Sequence, residues 1–99
     1  MKTAPITLPD DLAPRVRLEL FGIPRVRAGV ACLTVRAATL GEALQRAVEQ
    51  AAGLAEICSA EGLRPGYAAN LGGQRFVTDP YTPLAEGDSL LILSADLGG

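Results

Sequence analysis

Leu90-Leu91-Ile92-Leu93 is the stretch on which the architecture of this chain turns. Four apolar residues in succession leave no polar side, so the segment reads as a strand in the middle of a sheet rather than at its rim. The side chains at 90 and 92 point to one face and those at 91 and 93 to the other. Glu86-Gly87-Asp88 supplies a turn before it, and Ser94-Ala95-Asp96-Leu97-Gly98-Gly99 follows it.

Moving back along the chain, Tyr67–Leu71 and Arg75–Val77 are short strands, and Gly72-Gly73 between them provides the positive φ that a tight hairpin turn demands. Residues 54–65 carry Leu54, Ile57 and Leu63 without a settled period; a short helical turn and an irregular link both fit. Before them the period is helical. Thr39 and Glu42 have capping-box spacing, and Leu40, Ala43, Leu44, Ala47, Val48 and Ala51 form one apolar stripe, with Gly53 as the expected stop. Arg15–Phe21 alternates with period two, which puts Val16, Leu18 and Leu20 on one face of a strand. Gly22, Pro24 and Gly29 punctuate a long loop into a second strand, Val30–Val35. Residues 1–14, with Pro5, Pro9 and Pro14, read as an irregular arm, residues 15–94 as the domain, and residues 95–99 as a projecting tail.

Hairpin, helix, hairpin and strand make an α+β protein: a mixed sheet wrapped around one main helix, with the last strand beside the first. A single helix covers only one face of that sheet. The other face, to which Phe76, Leu91 and Leu93 are assigned as partner-facing residues, needs a cover. Residues 1–14, residues 54–65 and another protein are all open as candidates.

Composition narrows the chemistry. The chain has 99 residues, 48% hydrophobic and 20% charged, enough for one domain with a modest core. It contains no histidine, which removes the commonest general base, the usual zinc ligand and every histidine-assisted nucleophile. A net charge of -2 and 4% aromatic residues argue against nucleic acid, which calls for a basic face and stacking rings. Residues 1–38 carry six basic and three acidic groups, residues 39–99 three basic and eight acidic. The acidic half either meets a basic partner surface or is simply solvated. Cys32 and Cys58 stand alone at a spacing that forms no zinc ribbon, redox pair or iron–sulfur ligand set, so both read as buried thiols. No metal site is expected. Neither a signal peptide nor a membrane span is legible, which makes the cytoplasm the default location.

What remains is the tail. Five residues from Ala95 onward reach roughly 17 Å if extended, at about 3.3–3.6 Å each, enough to thread into another protein. Without a Cβ at Gly98 or Gly99, a narrow channel is unobstructed and the Gly99 carbonyl is open to close approach, with Leu97 as an anchor on the way in.

In this setting the sequence resembles the ThiS/MoaD family of ubiquitin-like sulfur carriers, which have the β-grasp fold. The resemblance runs from about Arg15 to Gly99 and rests on Leu20-Phe21-Gly22, Ala38-Thr39-Leu40-Gly41-Glu42-Ala43-Leu44, Thr82-Pro83-Leu84 before Glu86-Gly87-Asp88, and Leu90-Leu91-Ile92-Leu93 leading to Gly98-Gly99. Gly72-Gly73 stands where the family often has Asn-Gly, and the arm of residues 1–14 has no counterpart there. The resemblance implies a protein co-substrate rather than an enzyme, or the small subunit of a synthase. It binds no cofactor itself; ATP is used by an E1-like adenylating partner acting on Gly99. A sulfur donor then gives a C-terminal thiocarboxylate, and an acceptor synthase takes the sulfur, as in molybdopterin or thiamin biosynthesis. Two alternatives stay open: a ubiquitin-like modifier conjugated through Gly99, and a non-covalent β-grasp interaction subunit.

Overall fold

A computed structural model of the chain describes residues 12–95. In chain order the elements are β1 (Arg15–Leu20), α1 (Ile23–Ala28), β2 (Cys32–Arg36), α2 (Leu40–Gln50), a 3-10 turn (Ala52–Glu56), β3 (Cys58–Ser59), β4 (Gly62–Leu63), β5 (Tyr67–Leu71), β6 (Arg75–Val77) and β7 (Ser89–Ser94). Five strands form one mixed sheet in the order β2-β1-β7-β5-β6, and β3 with β4 makes a small separate hairpin.

The uninterrupted apolar strand β7 lies at the centre, parallel to β1 and antiparallel to β5. Leu18 is opposite Leu90 and Leu20 opposite Ile92, so the alternation of β1 falls in step with the even positions of β7. All four are almost fully buried. They meet α2, whose inward stripe is Leu40, Ala43, Leu44 and Ala47. Alanine at 43 and 47 lets the helix axis approach the sheet closely, and a buried Leu or Ile contributes about 1.5–3 kcal/mol.

The start of α2 shows why its flanking sequences go together. Thr39 Oγ1 accepts the Glu42 N–H at 3.2 Å, and the Glu42 carboxylate reaches back to the Ala38 N–H at 2.9 Å, a capping box extended by one residue. Two further unpaired donors of the first turn are satisfied from the segment before β7. The Leu40 N–H donates to Thr82 O at 2.9 Å and the Gly41 N–H to Pro80 O at 2.8 Å. Gly41 has no room for a side chain, because a Cβ there would run into the Ala60 and Pro80 carbonyl oxygens.

Three expectations are corrected. The long loop of the first hairpin contains a helix, α1, so Gly22, Pro24 and Gly29 are its N-cap, first-turn proline and left-handed C-cap (φ 79°). The second strand begins at Cys32, not Val30. Gly53 does not stop α2, which ends at Gln50 with extended Ala51 as its cap; Gly53 lies inside the 3-10 turn. Residues 54–65 resolve into the end of that turn and the β3–β4 hairpin, and Leu54, Ile57 and Cys58 join the core on the helix side of the sheet. They therefore do not cover the opposite face. At the other end, Ala13 is buried and Pro14 O accepts the Ala37 N–H at 2.9 Å, so packing begins just ahead of Arg15.

Candidate functional site: the end of the central strand and the open sheet face

Among the described residues no group of three or more His, Cys, Asp or Glu side chains could hold a metal ion. Cys58 is buried, and desolvation pushes its thiol up to about 11 against a weaker pull from Arg64. It is therefore protonated near neutrality and a poor nucleophile. Cys32, expected to be buried, is instead exposed on the edge strand β2, because its side chain shares the outward face of β1 and β2 with Glu19.

The strand that holds the core is also the last described element of the chain. Its last rung is fixed on both sides: the Phe21 N–H donates to Ile92 O at 2.9 Å, and just beyond the strand the Ala95 N–H donates to Gly66 O at 2.7 Å. Gly66 takes φ +94° in the turn before β5, which aims its carbonyl at the departing chain. Gly99 and Gly98, expected to be the attachment residue and its neighbour, and the anchor Leu97 lie outside the described residues.

The expected partner-facing residues do share the face away from α2. Glu19, Leu91, Asn70 and Phe76 are successive cross-strand partners over β1, β7, β5 and β6, and Leu93 sits opposite Ala68 one rung along. Phe76 is 63% exposed, while Leu91 and Leu93 are half-buried. Leu91 and Leu93 are neighbours on one strand. Phe76 is two strands away, with Asn70 between, whose Oδ1 is buried and finds no hydrogen-bond partner. The face thus has an apolar strip at its centre and charge toward β1, where Arg17 and Glu19 pair at 3.6 Å.

The sequence reading missed the exposed apolar side chains of the β1–β2 connection: Phe21, Ile23, Val26 and Val30. The available signal was the pairing of Pro24 with Gly29 five residues later, which fits a one- to two-turn helix as well as a loop. At the opposite end of the sheet, the turn before β7 is clamped to the start of β1. Glu86 accepts the Arg15 N–H at 2.8 Å and its Nε at 3.2 Å, and the Gly87 N–H donates to Arg15 O at 2.8 Å. The Arg15 N–H, more than the guanidinium, holds the Glu86 carboxyl below its ordinary value.

No protein-family model matches the chain, and no curated protein matches it in sequence. Solved structures do. The small archaeal modifier protein 1 of Methanosarcina acetivorans is 18% identical, superposes with a TM-score of 0.72, and aligns over 87% of this chain and 97% of its own. A Pyrococcus furiosus protein assigned as molybdopterin converting factor subunit 1 is 18% identical over 83% of this chain and 98% of its own, with a TM-score of 0.68. A chain of the Amycolatopsis orientalis BexX/CysO complex is 24% identical over 85% and 99%, with a TM-score of 0.71. These neighbours are ubiquitin-like proteins of the ThiS/MoaD type, the group that the sequence resembles. At such identities the likeness is one of architecture, and with the strand order above it establishes the fold: this chain is a β-grasp protein, a mixed sheet wrapped around one main helix.

Proposed function

We propose that the chain is a sulfur carrier protein whose Gly99 carboxylate is adenylated by an E1-like enzyme and converted to a thiocarboxylate, which donates sulfur in molybdopterin- or thiamin-type cofactor biosynthesis. The observation that carries this reading is the course of β7: it is central, bonded on both sides, and ends at Ser94, five residues before Gly99. The likeness to a molybdopterin converting factor subunit and to a chain of the BexX/CysO complex supports it.

A terminal carboxylate is anionic near neutrality and resists nucleophiles, so it must be activated. The Gly99 carboxylate attacks the α-phosphorus of ATP, pyrophosphate leaves, and an acyl-adenylate forms. Sulfide displaces AMP at the Gly99 carbonyl to give the thiocarboxylate directly. A persulfide donor first gives an acyl disulfide, whose S–S bond a thiol reductant then splits. The carrier's part in these steps is steric: glycine at 98 lets the carbonyl enter a narrow channel, and the fixed end of β7 sets the reach of the tail. ATP and the sulfur donor are bound by partners.

The test is the intact mass of the chain purified from its native cell. One oxygen replaced by sulfur supports the carrier reading. An unmodified chain, whose activity survives removal of Gly98 and Gly99, refutes it and leaves a non-covalent interaction subunit. The second reading, a protein modifier, is favoured by the likeness to small archaeal modifier protein 1 and would show branched peptides ending in this tail on other proteins. Gly98→Ala should leave the fold intact and impair adenylation; normal adenylate formation by that variant would contradict the channel argument.

A further inference from the structure

We propose that residues 1–11 of this chain dock in the groove between β2 and α2, with Ile6-Thr7-Leu8 along the outer edge of β2 and Asp10 and Asp11 beside Arg36 and Arg46. The arm thereby closes that edge to other chains. The proposal goes beyond the carrier reading and does not depend on it.

β2 ends the sheet, with β1 as its one neighbour among the described residues. The Leu20 N–H donates to Ala31 O and the Ala37 N–H to Pro14 O, so the odd positions along β2 bond toward β1. The even positions, Cys32, Thr34 and Arg36, therefore turn their backbone N–H and C=O groups outward. Gln50 confirms the direction: from the end of α2 its Nε2 donates to Thr34 O at 2.9 Å. A groove of about 250 Å³ lies here between strand and helix, lined by Thr34, Val35, Arg36, Arg46, Glu49 and Gln50. An outward-turned edge is a template for pairing with an extended chain, and folded proteins cover or blunt it.

The point at which the chain enters the domain selects the occupant. Arg36 Nη1 donates to Ala13 O at 3.1 Å and Pro14 O accepts the Ala37 N–H at 2.9 Å, so residues 1–11 begin beside the last residue of β2. Eleven residues reach roughly 36–40 Å at about 3.3–3.6 Å each, and a five-residue strand needs roughly 17 Å. Half of the arm suffices to run the length of β2. Pro9-Asp10-Asp11 places turn-forming residues between Leu8 and Leu12. Once reversed there, the arm passes from the Arg36 end of β2 to the Cys32 end and has the same chain sense as β2. Ile6 and Leu8 then share one side, where they extend the helix-side row of Leu33 and Val35 into the groove. Pro5, which has no N–H, is tolerated at an edge.

Charge agrees with this course. Asp10 and Asp11 fall at the Arg36 end, and the groove carries two arginines in a chain whose net charge is -2. Arg46 meets Glu49 at 3.2 Å and Arg36 meets Ala13 O, but a guanidinium has five N–H donors and serves more than one acceptor. Exposed ion pairs add little affinity and serve to fix register. The apolar contacts of Ile6 and Leu8 supply the rest. Covalent attachment makes the binding intramolecular, so modest contacts are enough to keep the groove filled.

The experiment is amide hydrogen exchange of the full-length chain, read at Thr34, whose N–H points away from β1. Exchange there should be about tenfold slower in wild type than in a chain carrying Ile6→Asp and Leu8→Asp, which put charge into the groove. Asp10→Lys with Asp11→Lys should speed it too, and high salt should reproduce part of that effect in wild type. Leu18 and Leu90, inside the sheet, should exchange alike in all three chains, which shows that the variants are folded. Sedimentation should find wild type monomeric and the Ile6/Leu8 variant more prone to associate, since its β2 edge is uncovered. Equal exchange at Thr34 in wild type and both variants overturns the proposal. Protection at Thr34 that grows with chain concentration, together with a wild-type dimer, assigns the edge to a second copy and also overturns it. Neither result bears on the chemistry at Gly99.

Discussion

Gly53→Ala tests how α1 is held. Gly53 lies in the 3-10 turn without a left-handed φ, so glycine is not there for its backbone freedom. It is there for space: a Cβ would fall onto the carbonyl oxygen and carbon of Arg27 in α1. Both are main-chain atoms, so no rotamer change relieves the clash, and α1 must move away from the turn. Replacing glycine by alanine stabilises a compatible site by about 0.4–1 kcal/mol through the unfolded chain. Forcing a methyl group into a filled site costs about 1–3 kcal/mol. The clash wins, leaving a net loss of roughly 1–2 kcal/mol, and at about 4–8 °C per kcal/mol the midpoint of thermal unfolding should fall by roughly 5–15 °C. Calorimetry gives the magnitude, and amide chemical-shift changes confined to residues 22–30 and 51–57 locate the displacement. An alanine variant that melts at or above the wild-type temperature would show that the turn and α1 are not in contact.

Two other outcomes follow from the titrating groups. The Glu86 carboxyl is held below its ordinary value of 4.5 by the Arg15 N–H, so its contribution to stability is complete above that value and lost as pH falls through the depressed one. Glu86→Gln should therefore flatten the acid limb of a stability-versus-pH curve, and an unchanged limb would refute the clamp. Burial raises Cys58 to about 11 while Cys32 is exposed, so one equivalent of iodoacetamide should enter the native chain at Cys32, with Cys58 reacting only on unfolding. Equal labelling of both in the folded protein would contradict the placement of Cys58 in the core.

The fold was legible where one periodicity held over a whole element. Arg15–Leu20 alternates and Leu40–Gln50 carries an apolar stripe, and each found its core face as read. The Leu90–Leu93 run identified a central strand because no polar position breaks it. Legibility failed in short elements. Six residues of α1 are too few to show a helical period, and its boundary residues double as loop formers. Cys32 was misread because composition was allowed to outweigh alternation: it lies on the face of β2 opposite Leu33 and Val35, beside Glu19, and that outward face is exposed there. Gly53 was misread for another reason: its role is a contact with a helix 26 residues earlier in sequence, for which no local signal exists. On the open face, Leu91 and Leu93 could be assigned from alternation alone. That Phe76 aligns with them through Asn70 follows only from the β5–β6 hairpin register.

The two sets of residues on β7 separate tasks that would otherwise conflict. A tail drawn into another protein pulls on the strand that bears it, and an edge strand under such a load would give up its hydrogen bonds from one side only. With β1 parallel on one flank and β5 antiparallel on the other, β7 must break two ladders at once. Leu90 and Ile92 anchor it further in the core, the former wholly buried. The odd positions, Leu91 and Leu93, are only half-buried and lie on the open face, so they contribute less. On the carrier reading proposed above, partner exchange at the tail and on that face would draw little on the burial that holds the domain together. A strand with alternating polar residues could not do this, because its outward side would offer a partner no apolar surface. The uninterrupted apolar run places the strand centrally and also leaves half of it for others.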